Sequence, residues 1–261
     1  MIRNFSFLLI IFSIVSNPVI ADIAPMNTPQ CLFQIPKGYQ GFSNEVVQLQ
    51  INSKTFRLDV GSNVETLVSR LREWTVTFDI AQDSVFNSSS STLCLGAYND
   101  EDGANAKAFR PGNYILFGLR LMTEISSNWK VDYSLGMDTI LAHEFAHILQ
   151  FRHGFSYPYT LPMLSVKIQE LQADCIAGLI LSLNHPLDLD QRNEALRLLS
   201  ILGDQHAVGD HGLAEQRKLA FYLGEFYGRT LLKRNPLKRH LTSTQMFGVC
   251  SQRNIIQYTR R

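Results

Sequence analysis

Hydrophobic positions change their rhythm along the chain. Val47, Leu49 and Ile51 alternate with polar residues, and so do Phe56, Leu58 and Val60 after Asn52-Ser53-Lys54. That period of two predicts a pair of strands joined as a hairpin. Asn63 is placed to cap a helix running to about Trp74, with Val64, Leu67, Val68 and Leu71 on one face. Tyr114 to Gly118 reads as a short strand, buried or at an edge, and the polar stretches 87–91 and 97–113 read as loops. From Ser134 onward the period is helical. One helix starts at Ser134 or Asp138 and ends near Gly154. A second carries Leu164, Ile168, Leu171, Cys175 and Leu179 on one face, runs to about Leu183, and stops at Asn184-His185-Pro186. A third spans Asp188 to Leu202 and is closed by Gly203. A long fourth begins near Leu213 and passes Tyr227. No internal repeat is visible. The pattern predicts an α+β protein, a small mixed sheet packed on a helical core.

With 261 residues, 45% of them hydrophobic, the chain can bury a sizeable core in one domain with appendages. A formal net charge of +1 argues against nucleic acid as a partner. From Arg229 to Arg261 every charged side chain is Lys or Arg. Residues 236–261 therefore read as a solvated basic tail, with weak contact to an acidic surface such as anionic lipid as the sharper alternative. At the other end, Arg3, the apolar run Phe5 to Val15, the break at Asn17-Pro18 and the small residue Ala21 have the layout of a secretory signal peptide cleaved after Ala21. The expected location is periplasmic or extracellular, and an uncleaved anchor is the alternative. An exported chain meets an oxidising compartment, so Cys31, Cys94, Cys175 and Cys250 predict two disulfides, with all three connectivities open. Residues 22–83 carry no recognisable role, and the chemistry falls within 84–235.

That chemistry centres on His143-Glu144-Phe145-Ala146-His147. Residues four apart on a helix share a face, so His143 and His147 can grip one ion. Imidazole nitrogen suits Zn²⁺, and Glu144, about 100° round the helix, can reach a water on that ion and take its proton. A third ligand is needed. His153 stands where the metzincin pattern H-E-x-x-H-x-x-G-x-x-H has its last histidine. Gln150, a good helix former, replaces the glycine that turns the chain there, so His153 would sit about 240° round from His147 and point away. Glu170, on the next helix, is the better ligand. Asp174, four residues on, can accept a hydrogen bond from the free ring nitrogen of a ligand histidine, His143 being the first choice. Ala173 and Ala177 are small enough to let the two helices approach.

H-E-x-x-H followed on the next helix by E-x-x-x-D is the gluzincin arrangement. More narrowly, Leu141 to Gln150, Glu170 to Gly178 and Gly209 to Arg217 together resemble a bacterial family of neutral zinc metallopeptidases. The resemblance covers about residues 135–228. It implies a zincin-like fold, one zinc per chain held by His143, His147 and Glu170, and Glu144 as general base. It also implies a strand near the site that aligns the substrate backbone, for which Tyr114, Ile115 and Leu116 are the candidates.

His211 opens the last long helix. It is a candidate to hydrogen-bond the oxyanion or protonate the leaving amine, with His206 as the substitute. Arg217 is a candidate to position a substrate carboxylate or to anchor Asp210. His185 and His240 read as surface residues. Together these features predict an exported zinc metallopeptidase acting on a peptide or protein. The rivals are a zinc-bearing scaffold without turnover, a metal-free disulfide-stapled binding protein, and hydrolysis of a non-protein amide at the same site.

Overall fold

The helical half of the chain forms around two helices that are buried over most of their described length. In the computed structural model, residues 30–31, 46–51, 54–59, 66–67, 69–71, 73–74, 94–98, 104–109, 114–152, 162–203, 211–236 and 241–259 are described. Residues 1–21, expected to be a signal peptide, and His153, Gly154, His206, Asp210 and His240 lie outside them. The described strands are β1 (Gln30–Cys31), β2 (Val46–Ile51), β3 (Lys54–Asp59), β4 (Cys94–Tyr98), β5 (Ala106–Phe109) and β6 (Tyr114–Gly118). The labelled helices are α1 (Leu119–Ser127), α2 (Tyr133–Arg152), α3 (Pro162–Asn184), α4 (Leu189–Leu202), α5 (Ala214–Arg234), α6 (Ser243–Val249) and α7 (Gln252–Thr259). The protein is α+β and mostly helical.

The expected hairpin is β2–β3, with Val47 opposite Leu58 and Leu49 opposite Phe56. The other four strands form a sheet in the order β1-β4-β6-β5. It is mixed, because β4 and β6 run parallel while the outer pairs run antiparallel. Among the described residues before 84, β1 joins this sheet, and Leu67, Leu71 and Trp74, at helical positions, enter the main core. Trp74 meets Phe145 of α2 with ring centroids 6.3 Å apart.

α2 is buried from Leu135 to Gln150 and α3 from Leu171 to Asn184. A helix apolar enough to be covered all round belongs inside the molecule. Asp132 starts α2, accepting from the Leu135 amide at 2.9 Å, two residues before Ser134 and six before Asp138. α4 begins with a reciprocal box between Asp188 and Gln191, a motif that satisfies two orphan donors at a helix start. α3 and α5 pack backbone against backbone. A Cβ at Gly224 would overlap the Cys175 carbonyl, and one at Gly178 would overlap that of Phe221. No side chain larger than hydrogen fits at these crossings.

The C-terminal segment is not a solvated tail. It folds into α6 and α7, with Leu241, Met246, Phe247 and Ile255 buried in the common core. Those apolar residues, rather than the scattered arginines, decide its fate. Cys250 forms a disulfide with Cys175 across a separation of 75 residues; closing a loop of that length contributes roughly 4 kcal/mol in the chain-entropy account. Of the three connectivities, this one leaves Cys31 and Cys94, which face each other in β1 and β4. Among the described residues no helix is long and apolar enough to cross a membrane.

Candidate metal centre

α2 is covered all round, so each polar side chain on it needs an explanation. His143, His147 and Gln150 fall at helical spacings of four and three and form one stripe. That stripe faces α3. His143 meets Asp174, His147 meets Glu170, and Gln150 meets Gln169, so the two helices run antiparallel. The small residues Ala173 and Ala177, both fully buried, lie on α3 through this region.

Three side chains converge. His143 Nε2 lies 3.1 Å from His147 Nε2. Glu170 Oε2 is 3.2 Å from the first nitrogen and Oε1 is 3.3 Å from the second. Among the described residues His143, His147 and Glu170 form a group able to hold a metal ion, with ligand atoms all within 4.8 Å of one another. Each imidazole points its other nitrogen at an acceptor. His143 Nδ1 donates to Asp174 Oδ1 at 2.9 Å, and His147 Nδ1 donates to Gln150 Oε1 at 2.8 Å. With both Nδ1 atoms carrying hydrogen, the Nε2 lone pairs are free to face an ion.

The electrostatics follow from burial and from these contacts. Burial opposes charge on His143, but the Asp174 and Glu170 carboxylates outweigh it and lift its pKa to about 10. Burial opposes charge on His147 as well, and Glu170 raises its pKa in turn. Glu170 is disfavoured by burial, yet the two imidazoles hold it well below the usual carboxylate range. Burial pushes Glu144 above the usual carboxylate range, and the charges of His143 and His147 pull it part of the way back.

Behind His143 stands a buried ion pair. Arg217 Nε donates to Asp174 Oδ2 and Nη2 to Oδ1, both at 2.8 Å, while Nη1 donates to the Leu202 carbonyl at 3.0 Å. Burial would raise Asp174, but the guanidinium beside it holds it below the usual range. Asp174 is 0% exposed and Arg217 3%. Arg217 is thus buried, with three of its five N–H donors turned inward onto Asp174 and the Leu202 carbonyl.

The strand expected to align substrate, β6, is an inner strand of the sheet. β6 is paired along its whole length with β4 on one side and β5 on the other. The backbone of Tyr114, Ile115 and Leu116 has no open edge. Among the described residues the outer strand is β5, which packs against α2.

His211 is exposed and lies outside the ion-binding group. The next residue, Gly212, has φ +87°, and a Cβ there would come 3.1 Å from Leu171 Cδ2. Only glycine adopts that backbone easily and fits that space. It brings the turn bearing His211 against the residue that follows Glu170. His185 is not a lone surface histidine: Arg70 Nη1 lies 2.6 Å from its Nε2, and Arg70 Nε is 3.3 Å from Asp138. This cluster ties the helical residues near 70 to α2 and to the end of α3.

Sequence reasoning missed Gln150 and Gln172. Gln150 entered only as a residue that fails to turn the chain. The usable signal was its place seven residues after His143, on the ligand stripe. No protein-family model, curated protein or solved structure matches the chain.

Proposed function

We propose that the chain is a zinc-dependent hydrolase of peptide amide bonds, of zincin-like type, akin to the bacterial neutral zinc metallopeptidases its motifs resemble. One observation carries this reading. Nε2 of His143 and Nε2 of His147 stand 3.1 Å apart, and each meets one oxygen of the Glu170 carboxylate, Oε2 at 3.2 Å and Oε1 at 3.3 Å. A tetrahedral zinc with bonds of about 2.0–2.1 Å has ligand–ligand edges of about 3.3–3.4 Å. Three protein ligands and an open fourth position are the catalytic rather than the structural form of a zinc site. Zinc held there lowers the pKa of a bound water towards about 7.

This chain's own residues do the rest. Glu144, on the same turn as His143, accepts a proton from the water as its oxygen attacks the amide carbonyl carbon, and returns it to the leaving nitrogen. Asp174 and Gln150 keep both imidazoles in the ligating tautomer. His211 is the side chain assigned to the developing oxyanion or the leaving amine. β5, the outer strand of the sheet among the described residues, takes the role first given to β6, pairing with an extended peptide. The Cys175–Cys250 bond and the signal-peptide layout of residues 1–21 support export to an oxidising compartment.

The test is a pair of measurements on purified wild type and Glu144→Gln. Both should carry about one zinc per chain by elemental analysis. Wild type should cleave a denatured-protein library, and Glu144→Gln should lose that cleavage. Equal cleavage by both would remove Glu144 from the mechanism. Zinc without cleavage in wild type would leave a scaffold, and no zinc would end the metal reading.

A further inference from the structure

We propose that Gln150 and Gln172 are positioning residues for His147, and that the Cys175–Cys250 disulfide fixes the far end of the hydrogen-bond chain they form. Four links run through the interior. His147 Nδ1 donates to Gln150 Oε1 at 2.8 Å, and Gln150 Nε2 donates to Gln172 Oε1 at 3.0 Å and to the Gln169 carbonyl at 2.9 Å. Gln172 Nε2 donates to the Cys250 carbonyl at 2.8 Å. Gln150, Gln172 and Cys250 are all buried, at 2%, 5% and 0% exposure.

The direction of the chain is set from its far end. A backbone carbonyl can only accept. The Cys250 carbonyl therefore requires the amide nitrogen of Gln172, which turns the Gln172 oxygen towards Gln150. That oxygen and the Gln169 carbonyl both require the nitrogen of Gln150, which turns the Gln150 oxygen towards His147. An oxygen there requires hydrogen on His147 Nδ1, leaving Nε2 for the metal. Reversing any one amide sets donor against donor or acceptor against acceptor in a dry interior, where each unmade bond is expensive.

Cys250 is fixed twice. Its amide donates to the Met246 carbonyl at the end of α6, and its side chain is bonded to Cys175, the residue after Asp174. The disulfide thus holds the last acceptor against the same helix that carries Glu170. Metal affinity should depend on a covalent bond that touches no ligand.

This inference rests on the metal reading, and its test separates the two. Zinc dissociation constants are measured by chelator competition. Exchange of the two imidazole Nδ1 protons with solvent is followed by ¹⁵N-resolved NMR on zinc-loaded protein. Gln150→Met should weaken zinc by about 10- to 100-fold, and Gln172→Met by about 3- to 10-fold. In Gln172→Met the His147 proton should exchange faster while the His143 proton, held by Asp174, does not change. Links in series do not add, so Gln150→Met/Gln172→Met should fall no further than Gln150→Met alone. Likewise Cys175→Ser/Cys250→Ser should weaken zinc in the wild-type background and not in Gln150→Met. Full additivity, equal acceleration of both imidazole protons, or zinc affinity within about twofold of wild type in Gln172→Met would overturn the chain. If wild type takes up no zinc, the metal reading fails, and the same two proton signals in metal-free protein still judge the relay.

Discussion

His143 and His147 aim the same atom at the same point, yet different chemistry holds each. His143 is backed by charge: one buried carboxylate, itself gripped at two points by Arg217. His147 is backed by a neutral run of amides ending on a backbone carbonyl. Both fix the tautomer. Only the carboxylate also makes its histidine more basic. A buried charge needs its countercharge close by, so the His143 side is short and depends on two groups. A neutral chain carries no such penalty at any link and can extend much further. The difference teaches that one ligand set can be tuned on one side and merely oriented on the other.

The largest expected effect comes from breaking the charged side. Arg217→Met leaves Asp174 a buried carboxylate with only His143 beside it, and removing one partner of a buried pair typically costs about 3–5 kcal/mol. Urea unfolding of the metal-free protein should show that loss. A fall of under about 1 kcal/mol would mean that water reaches the pair.

Next is an attempt to turn the charged side into a copy of the neutral one. Asp174→Asn combined with Arg217→Met leaves an amide oxygen to accept from His143 and no ion pair. Most of the lost stability should return, since replacing a buried pair by neutral groups is often close to neutral. Zinc should still bind about 10- to 100-fold more weakly than in wild type. Chelator competition and urea unfolding on one preparation would read both. Recovery of affinity along with stability would show that the charge does nothing an amide cannot.

The smallest effect is on pH. The folded pKa of His143 is about 10, against an ordinary value of 6.5. A raised pKa stabilises the metal-free fold fully below the ordinary value, and that contribution is lost as pH climbs through the folded one. Zinc takes the place of a proton, so its binding has the opposite slope. Between pH 7 and 10 the melting temperature of metal-free protein should fall while apparent zinc affinity rises. Asp174→Asn/Arg217→Met should flatten both trends, and Gln150→Met should leave the His143 part intact. Parallel slopes in all three proteins would break the contrast between the two sides.

What could be read from the sequence was local. Asp188 and Gly203 bracket their helix within a residue, because caps act over a single turn. His143, His147, Glu170 and Asp174 declared themselves by spacings of four on two successive helices. The failures are contacts across long stretches of chain. Arg217 reaches Asp174 over 43 residues and Gln172 reaches Cys250 over 78, and no periodicity encodes such a distance. β6 read as a strand by composition, but its central place depends on which strands pair beside it. The C-terminal segment misled in another way. Its charges stood out, while the few apolar side chains that bury it are ordinary in type and thinly spread.

The disulfide bears on where this protein can be cut. A fragment trimmed to the recognisable motifs would end with α5 at Arg234. It would hold His143, Glu144, His147, Glu170, Asp174 and Arg217, and would look complete to anyone aligning motifs. It would lack Cys250, the carbonyl that Gln172 addresses, and the apolar faces of α6 and α7 that cover the core. Such a fragment would leave Cys175 an unpaired thiol, free to cross-link copies during purification. Expression boundaries for this molecule therefore belong beyond Thr259, well outside the segment that carries its chemistry.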